Sequence, residues 1–124
     1  MRTKSKTLTE QELEIMKVVW ELETATVRDV YEALLRRRKI AYTTVMTMMN
    51  ILEEKGHLKK RAEDKAYVYR PAQAKGKVIK AMVQDFVSRV FNGSAQPLLV
   101  QLVKDRQLSE KDLEDIRRQI KEMK

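Results

Sequence analysis

Residues 41–71, AYTTVMTMMNILEEKGHLKKRAEDKAYVYRP, decide the fold of this 124-residue chain. Their first half has the period of an amphipathic helix, with apolar residues on one side of the helical wheel and polar residues on the other. The apolar positions are Val45, Met48, Met49 and Leu52. Gly56 follows this pattern, and glycine is typical just beyond a helix end because it adopts the left-handed conformation without strain. The stretch therefore predicts a helix that stops at Gly56.

A basic β-hairpin is predicted directly after this helix. Residues 58–62 and 66–70 have the composition of two short strands, and residues 63–65 have that of the turn between them. Four cations lie on the two strands of this hairpin: Lys59, Lys60, Arg61 and Arg70. Because a helix followed by a basic hairpin is the order of a winged-helix reading element, we expect these cations to hold DNA phosphates.

The polar side of the predicted helix carries Thr43, Thr47 and Asn50. On a helix taken alone, such residues are most often an ordinary solvated face. Here, however, residues 33–52 include no acidic residue, whereas a run of four cations occupies residues 36–39. Thr and Asn side chains reach base edges while Lys and Arg hold phosphates, so the pattern favours a helix that reads DNA.

Composition supports a polyanionic partner. Lys and Arg number 26 against 18 Asp and Glu, which gives a formal net charge of +8 and a pI near 9.8. There is no cysteine, so neither a disulfide nor a thiolate metal site is expected. No apolar run approaches a membrane span, and the polar start has no signal-peptide core. We therefore expect a cytoplasmic protein without membrane insertion.

Two further helices are predicted upstream of the reading helix. Residues 9–12, TEQE, match a capping box, so a first helix is expected over residues 10–22. Residues 26–29, TVRD, give a second start signal, so a second helix is expected over residues 27–38, with a short strand at 25–27. The expected inward residues are Leu13, Met16, Val19 and Trp20 in the first helix, and Val30, Tyr31 and Leu34 in the second.

The order helix, helix, helix, hairpin predicts a mainly α fold with a small β wing. We assign residues 1–71 to a winged helix-turn-helix DNA-binding domain, with the third helix as reader. Residues 72–124 then form a helical dimerisation domain, with helices expected over 78–91, from near Pro97 to about Val103, and from about Glu110 onward.

Dimerisation is predicted because these three short helices carry apolar stripes that single helices cannot bury. The candidate interface residues are Ile79, Met82, Phe86, Val90, Leu113, Ile116 and Ile120. A homodimer would cover them, and readers of this size usually bind two half-sites. The alternative is that these helices fold back onto the N-terminal domain.

An enzyme is not expected. His57 is the only histidine and no cysteine is present, so the usual nucleophile pairs and His/Cys metal sites are excluded. The three glycines, Gly56, Gly76 and Gly93, are too widely separated for a phosphate-binding loop. We therefore expect no catalytic residue, no metal and no cofactor.

Two other binding functions compete with a sequence-specific reader. One is a winged-helix module for protein interaction, which Met46 and Ile51 on the third helix favour. The other is a nonspecific architectural DNA binder, which would bind all sequences with similar affinity and steep salt dependence. Compact hydrogen-bonding groups at Thr43, Thr47 and Asn50 favour the specific reader.

The whole chain resembles the penicillinase-repressor and methicillin-resistance-repressor family (BlaI/MecI). The resemblance rests on LTEQELEIMKVVWEL, TVRDVYEAL, YTTVMTMMNILEEKGHLKKRAEDKAYVYRP and LLVQLVKDRQLSEKDLEDIRRQI, in the family's order and spacing. It implies a cytoplasmic dimeric repressor that binds a palindromic double-stranded DNA operator. It also implies release from the operator when a membrane metalloprotease sensor triggers cleavage of the repressor.

The resemblance also implies residue roles. The family's reading-helix contacts match Thr43, Thr44, Met46, Thr47 and Asn50, and the hairpin cations match its wing. Better-known members carry arginines where this chain has Met46 and Ile51, so their operator sequence does not transfer.

The family's cleavage and metal-sensing features also depart from this sequence. The scissile Asn-Phe bond of better-known members is replaced by Gln101-Leu102, within the motif Leu99 to Val103. A copper-responsive branch of the family uses C-terminal cysteines. This chain has no cysteine, so copper sensing is not expected.

Overall fold

The computed structural model describes residues 7–123, which form six helices and a two-stranded antiparallel sheet. The elements are α1 (Glu10–Leu22), α2 (Val27–Leu35), α3 (Tyr42–Glu54), β1 (Leu58–Glu63), β2 (Ala66–Pro71), α4 (Lys75–Phe91), α5 (Gln96–Lys104) and α6 (Glu110–Glu122). Two compact units are present, one ending at Met82 and one starting at Val83. The predicted mainly α fold with a small β wing is confirmed.

Helix α1 begins at the predicted capping box. The Glu12 backbone N–H donates to the Thr9 hydroxyl at 3.1 Å, and the Thr9 backbone N–H donates to the Glu12 carboxylate at 2.9 Å. The prediction of its inward face was partly wrong, because Ile15 and Val18 are also buried while Leu13 and Trp20 are only half-buried. Since α1 contacts α2, α3 and β2, its buried side is wider than one stripe.

Helix α2 is shorter than predicted. It starts at the expected Thr26 capping box but ends at Leu35, and the expected end at Arg38 was wrong. The backbone N–H groups of Arg37 and Arg38 both donate to the Leu34 carbonyl, which makes a turn. Residues 36–39 are all exposed, so no buried side chain holds them in a further helical turn.

Helix α3 supplies the centre of the hydrophobic core of the first unit, called the first core below. Val45, Met49 and Leu52 are fully buried, and Met48 packs at the edge of the same cluster. The helix ends at Glu54, two residues before the predicted stop residue Gly56, whose φ is +88°. The Gly56 N–H donates to the Glu53 carbonyl at 3.1 Å and the His57 N–H donates to the Leu52 carbonyl at 2.9 Å, which is the Schellman pattern.

The β-hairpin, or wing, consists of β1 and β2. Leu58 pairs with Pro71 at one end and Glu63 pairs with Ala66 at the other, so each strand is one residue longer than predicted. The predicted strand at residues 25–27 is reduced to a single bridge, in which Ala25 and Tyr69 exchange backbone hydrogen bonds of 2.9 and 2.8 Å. The bridge cannot extend because Thr26 already caps α2.

The three C-terminal helices form near their predicted positions. Asn92 and Gly93, both with positive φ, follow α4, and Ser109 caps α6 with a reciprocal box to Asp112. Val78 and Met82 pack on the first core, so that unit continues into α4 rather than closing at Pro71. Met82, expected at a dimer interface, thus already has an intrachain packing partner.

A buried ion pair joins the start of α1 to the end of α3. The Lys55 ammonium lies 2.9 and 3.1 Å from the two Glu12 carboxylate oxygens, and the two side chains are 12% and 6% exposed. Burial by itself raises the pKa of Glu12, but the Lys55 hydrogen bond, the Thr9 backbone N–H and the Lys55 charge together bring this pKa below its ordinary 4.5. The pair therefore stabilises the fold above about pH 4.5 and loses this contribution as the pH falls further.

Removing one partner of this pair leaves a buried, uncompensated charge. Lys55→Met should lower the free energy of unfolding at neutral pH by about 3 kcal/mol, measured by urea denaturation of the full chain. The difference from the parent should shrink as the pH falls below 4.5, because Glu12 then becomes protonated and no longer needs a cation beside it.

The matched control for Lys55→Met is Glu63→Gln. Glu63 pairs with Arg61 at the surface, where both side chains are more than half exposed. Loss of this surface ion pair should lower the free energy of unfolding by less than about 1 kcal/mol. Equal effects of the two substitutions at neutral pH would contradict a special role for the buried pair.

Candidate nucleic-acid interface

The exposed side of α3 presents the polar residues that the sequence singled out. Thr43, Thr44 and Thr47 are exposed, and Asn50 is half-buried. Met46 is 39% exposed on the same helix. These side chains are available because α3 buries its opposite side in the first core. The structure thus places all five candidate reading residues on the accessible part of α3.

A groove of about 370 Å³ lies beside this face, within the first unit. Tyr42, Met46 and Asn50 line it from α3, because residues four apart share one side of a helix. The other lining residues come from the start of α2 and from the wing, and they include Arg28, Lys60, Lys65, Tyr67 and Tyr69. The groove therefore combines aromatic rings with three cations, a composition suited to a nucleic acid.

The four cations on the wing strands, Lys59, Lys60, Arg61 and Arg70, do not share one face. Lys60 is directly opposite Tyr69 in the strand register, so it lies on the face that borders the groove. Its ammonium is 4.5 Å from the centre of the Tyr67 ring. Lys59 is opposite Arg70, and alternation along β1 puts Arg61 on that same outer face. The predicted cationic arm is thus divided between two faces of the wing.

Two predicted cations already contact carboxylates. Arg61 donates two hydrogen bonds, of 2.9 and 3.1 Å, to the Glu63 carboxylate. Arg38 donates to Glu14 of α1 at 2.8 Å, and this bond lowers the pKa of Glu14 although burial opposes the shift. Sequence reasoning counted both as available charges. The Arg38 pair has no local sequence signal, because its partners are 24 positions apart.

One supporting residue of this surface was missed by sequence reasoning. The Tyr69 hydroxyl donates a 3.0 Å hydrogen bond to Asn50 Oδ1, although only 2% of Tyr69 is exposed. Burial raises the pKa of Tyr69, and the nearby Glu53 charge adds to this. The alternating pattern of β2 predicts that Tyr69 faces opposite to Val68, but it does not reveal the contact with Asn50.

Comparison with known proteins identifies the family of this chain. The sequence model of the penicillinase repressor family matches residues 8–122. The chain belongs to this family. The penicillinase repressor of Bacillus licheniformis is 26% identical over 117 residues, covering 94% of this chain and 91% of that protein. The transcriptional regulator BlaI of Mycobacterium tuberculosis is 35% identical over 91 residues, covering 72% of this chain and 66% of that protein.

Part of this chain also resembles a solved penicillinase repressor. The solution structure of monomeric BlaI from Bacillus licheniformis in complex with the blaP half-operator is similar, with a TM-score of 0.50 and 27% identity. The similarity covers 60% of this chain and 89% of that one. Within residues 7–123, none of the helices combines the length and hydrophobicity needed to cross a membrane.

The second unit of this penicillinase-repressor family member exposes much of its apolar surface. Phe86 and Val90 of α4 are exposed, and so are Leu113 and Ile120 of α6, whereas Ile116 is half-buried. The Phe86 ring makes an edge contact with Phe91 at 5.8 Å between centroids. Ile79, the remaining candidate interface residue, is half-buried in the part of α4 that belongs to the first unit.

The candidate cleavage bond, Gln101-Leu102, lies inside α5. The Gln101 carbonyl accepts the Asp105 N–H at 2.9 Å, and the Gln101 amide donates to the Asp105 carboxylate. The Leu102 carbonyl accepts the N–H groups of Gln107 and Leu108. The carbonyls of both residues are therefore engaged by hydrogen bonds that close the C-terminal end of α5, so a protease would need local opening of this helix to reach the bond.

Proposed function

We propose that this chain is a DNA-binding transcriptional repressor that acts in the cytoplasm as a homodimer on a palindromic operator. The observation that carries the proposal is the exposed threonine-rich side of α3 beside a cationic groove, in a fold similar to that of BlaI solved with a half-operator. Thr43, Thr44, Met46, Thr47 and Asn50 are the proposed base-reading residues. No catalytic step belongs to this proposal.

Selection from a random duplex library is the direct test. Full-length protein should enrich a palindrome whose half-sites are about one helical turn apart, because two copies of α3 must enter successive major grooves. Enrichment without a shared sequence would favour an architectural DNA binder. Failure to retain any DNA would favour the protein-interaction alternative. The exposed Tyr42 and Met46 would then be part of the surface that binds another protein.

The wing cations supply the phosphate contacts in this proposal, and their effects should differ. Lys60→Ala should weaken binding to operator and random DNA alike and reduce the slope of log affinity against log salt by about one unit. Arg61→Ala should have a smaller effect, since Glu63 already neutralises part of its charge. Fluorescence anisotropy at several salt concentrations measures both quantities.

The control for the wing variants is Lys111→Ala, which removes an exposed lysine of α6. It changes the net charge as Lys60→Ala does but leaves the wing intact. Equal changes in salt slope for the two variants would mean that overall charge, and not the wing, determines affinity.

Dimerisation is proposed to cover the apolar surface of the second unit. Phe86, Val90, Leu113, Ile116 and Ile120 are the central interface residues, with Ile79 and Met82 at the margin because they belong to the first unit. These side chains would lose water contact in a twofold interface, which is the main source of stability in such assemblies. Pairing also joins two half-site readers, which raises affinity through effective concentration.

Ile120→Asp tests the interface in the full chain. Ile120 is 56% exposed in the single chain, so a charge there should leave the monomer folded but oppose burial in a dimer. We expect a monomer in analytical ultracentrifugation and operator binding weakened on the order of a hundredfold. Binding to a single half-site should be unchanged. Gln119→Asp, which puts the same charge on the adjacent exposed position, should remain dimeric. If Ile120→Asp is dimeric as well, this interface is refuted.

Release from the operator is proposed to follow cleavage of Gln101-Leu102, triggered by a membrane metalloprotease sensor. The support is the family membership and the position of this bond within the family's motif. Cleavage would break the chain between α4 and α6, so that the two helices of the proposed interface would no longer be covalently joined. The hydrogen bonds of α5 would keep the bond intact until the helix opens.

Intact-mass spectrometry of the repressor recovered from induced cells tests this proposal. The parent should yield a fragment ending at Gln101, whereas Leu102→Asp should stay full-length and keep the promoter repressed. Gln96→Asp, at the exposed start of the same helix, should be cleaved like the parent. Uninduced repression by each variant establishes that it still folds and binds. A parent that stays full-length while its promoter is active would rule out cleavage as the release step.

A further inference from the structure

The hydrogen bond between Tyr69 and Asn50 joins the wing to the reading helix. Its donor is a buried hydroxyl, and its acceptor is Oδ1 of a residue that lines the groove. We propose that Tyr69 is a positioning residue for sequence recognition, which holds Asn50 so that its amide nitrogen donates to an acceptor atom on a base edge. The inference rests on the proposed operator-reading function and assigns a direction to one contact in it.

The chemistry of the amide group gives that direction. An asparagine side chain has one acceptor oxygen and one donor nitrogen. Oδ1 of Asn50 already accepts from Tyr69, whereas Nδ2 has no acceptor within residues 7–123. Nδ2 is also not among the buried polar atoms left without a partner in that part of the chain, so it remains open to solvent. What Asn50 presents to a ligand is therefore mainly a hydrogen-bond donor.

Tyr69 is held firmly enough to set this orientation. Its ring is buried in the first core, and its backbone exchanges two hydrogen bonds with Ala25. Burial keeps its hydroxyl protonated, because it raises the pKa further above neutrality. Tyr69 therefore keeps the hydrogen that it donates to Asn50 Oδ1 at physiological pH, and the amide bonded in this way leaves Nδ2 for a ligand.

A fixed amide reads DNA better than a mobile one. Ordering a side chain on binding costs affinity, roughly two- to tenfold for one residue, and a side chain ordered in advance avoids that loss. In the major groove the available acceptors are N7 and O6 of guanine, N7 of adenine and O4 of thymine. The cations Lys60 and Lys65 line the same groove and would hold the adjacent phosphates. Asn50 should thus favour, in each half-site, the base pair that places an acceptor at the position its amide nitrogen reaches.

The test measures affinities of full-length variants for the selected operator, for its single-base variants and for random duplex. Asn50→Ala should reduce discrimination at one base pair by about tenfold or more while leaving random DNA unaffected. Tyr69→Phe keeps the buried ring and removes only the hydroxyl. It should reduce discrimination at the same base pair by roughly two- to tenfold.

The two residues should not act independently. Adding Tyr69→Phe to Asn50→Ala should cause no further loss, because the hydroxyl acts only through Asn50. Tyr31→Phe is the control, since it removes the hydroxyl of a half-buried tyrosine that does not line the groove and keeps the ring that contacts Tyr42. Thermal unfolding of all variants distinguishes loss of recognition from loss of the fold.

Asn50→Asp tests the donor without altering Tyr69. The carboxylate can still accept from the Tyr69 hydroxyl but has no hydrogen to donate, so operator affinity should fall further than with Asn50→Ala. A methylphosphonate series across the operator tests the other source of acceptors: if neutralising one phosphate abolishes the effect of Asn50→Ala, the contact is to the backbone and the base-reading assignment is wrong.

The outcomes separate this inference from the proposed function. If Asn50→Ala reduces discrimination at one base pair and Tyr69→Phe does not, the positioning role is refuted and the reading role stands. If Asn50→Ala has no position-specific effect while the protein still selects an operator, both roles are refuted and the repressor function stands. If no operator is selected at all, the proposed function itself fails.

Discussion

The first unit depends on α3 burying one side completely while its other side remains exposed. Val45, Met49 and Leu52 have no exposed surface, and the elements around them pack against this side of the helix. At roughly 25 cal/mol for each Å² of apolar surface removed from water, three such side chains supply several kcal/mol. The position of the reading side is therefore a consequence of core packing, and any residue that shifts the core also shifts the reader.

Polar contacts in the C-terminal half of α3 and at its end add to the apolar packing of this helix. At the end of α3, the Lys55 ammonium contacts the Glu12 carboxylate of α1. In the C-terminal half of α3, Asn50 accepts a hydrogen bond from the Tyr69 hydroxyl. Apolar packing is not directional, whereas hydrogen-bonded groups must meet within a few tenths of an ångström. The polar contacts thus define the rotation and axial position of a helix that packing alone would hold less exactly in register.

Local signals in the sequence predicted the ends of most elements. The capping boxes at Thr9, Thr26 and Ser109 locate three helix starts, because a cap involves only residues three apart. The end of α2 was not predictable in this way, since it depends on which residues find a core to pack against. The pairs Glu12–Lys55 and Glu14–Arg38 join positions far apart in the chain, so no periodic pattern in the sequence predicts them. The same reason hid the Tyr69 contact, which requires the wing to fold against α3.

The cations on β1 also have a consequence for the solubility of the protein. In the part of the chain that the structure describes, β2 pairs with β1 on one side and with Ala25 on the other, so the far edge of β1 has no strand beside it. An open strand edge is a template for pairing with another chain, and closely spaced lysines and arginines are a common protection because two such edges repel each other. Lys59, Lys60 and Arg61 occupy that edge. The charges available for phosphates thus also keep free copies of the protein from joining edge to edge.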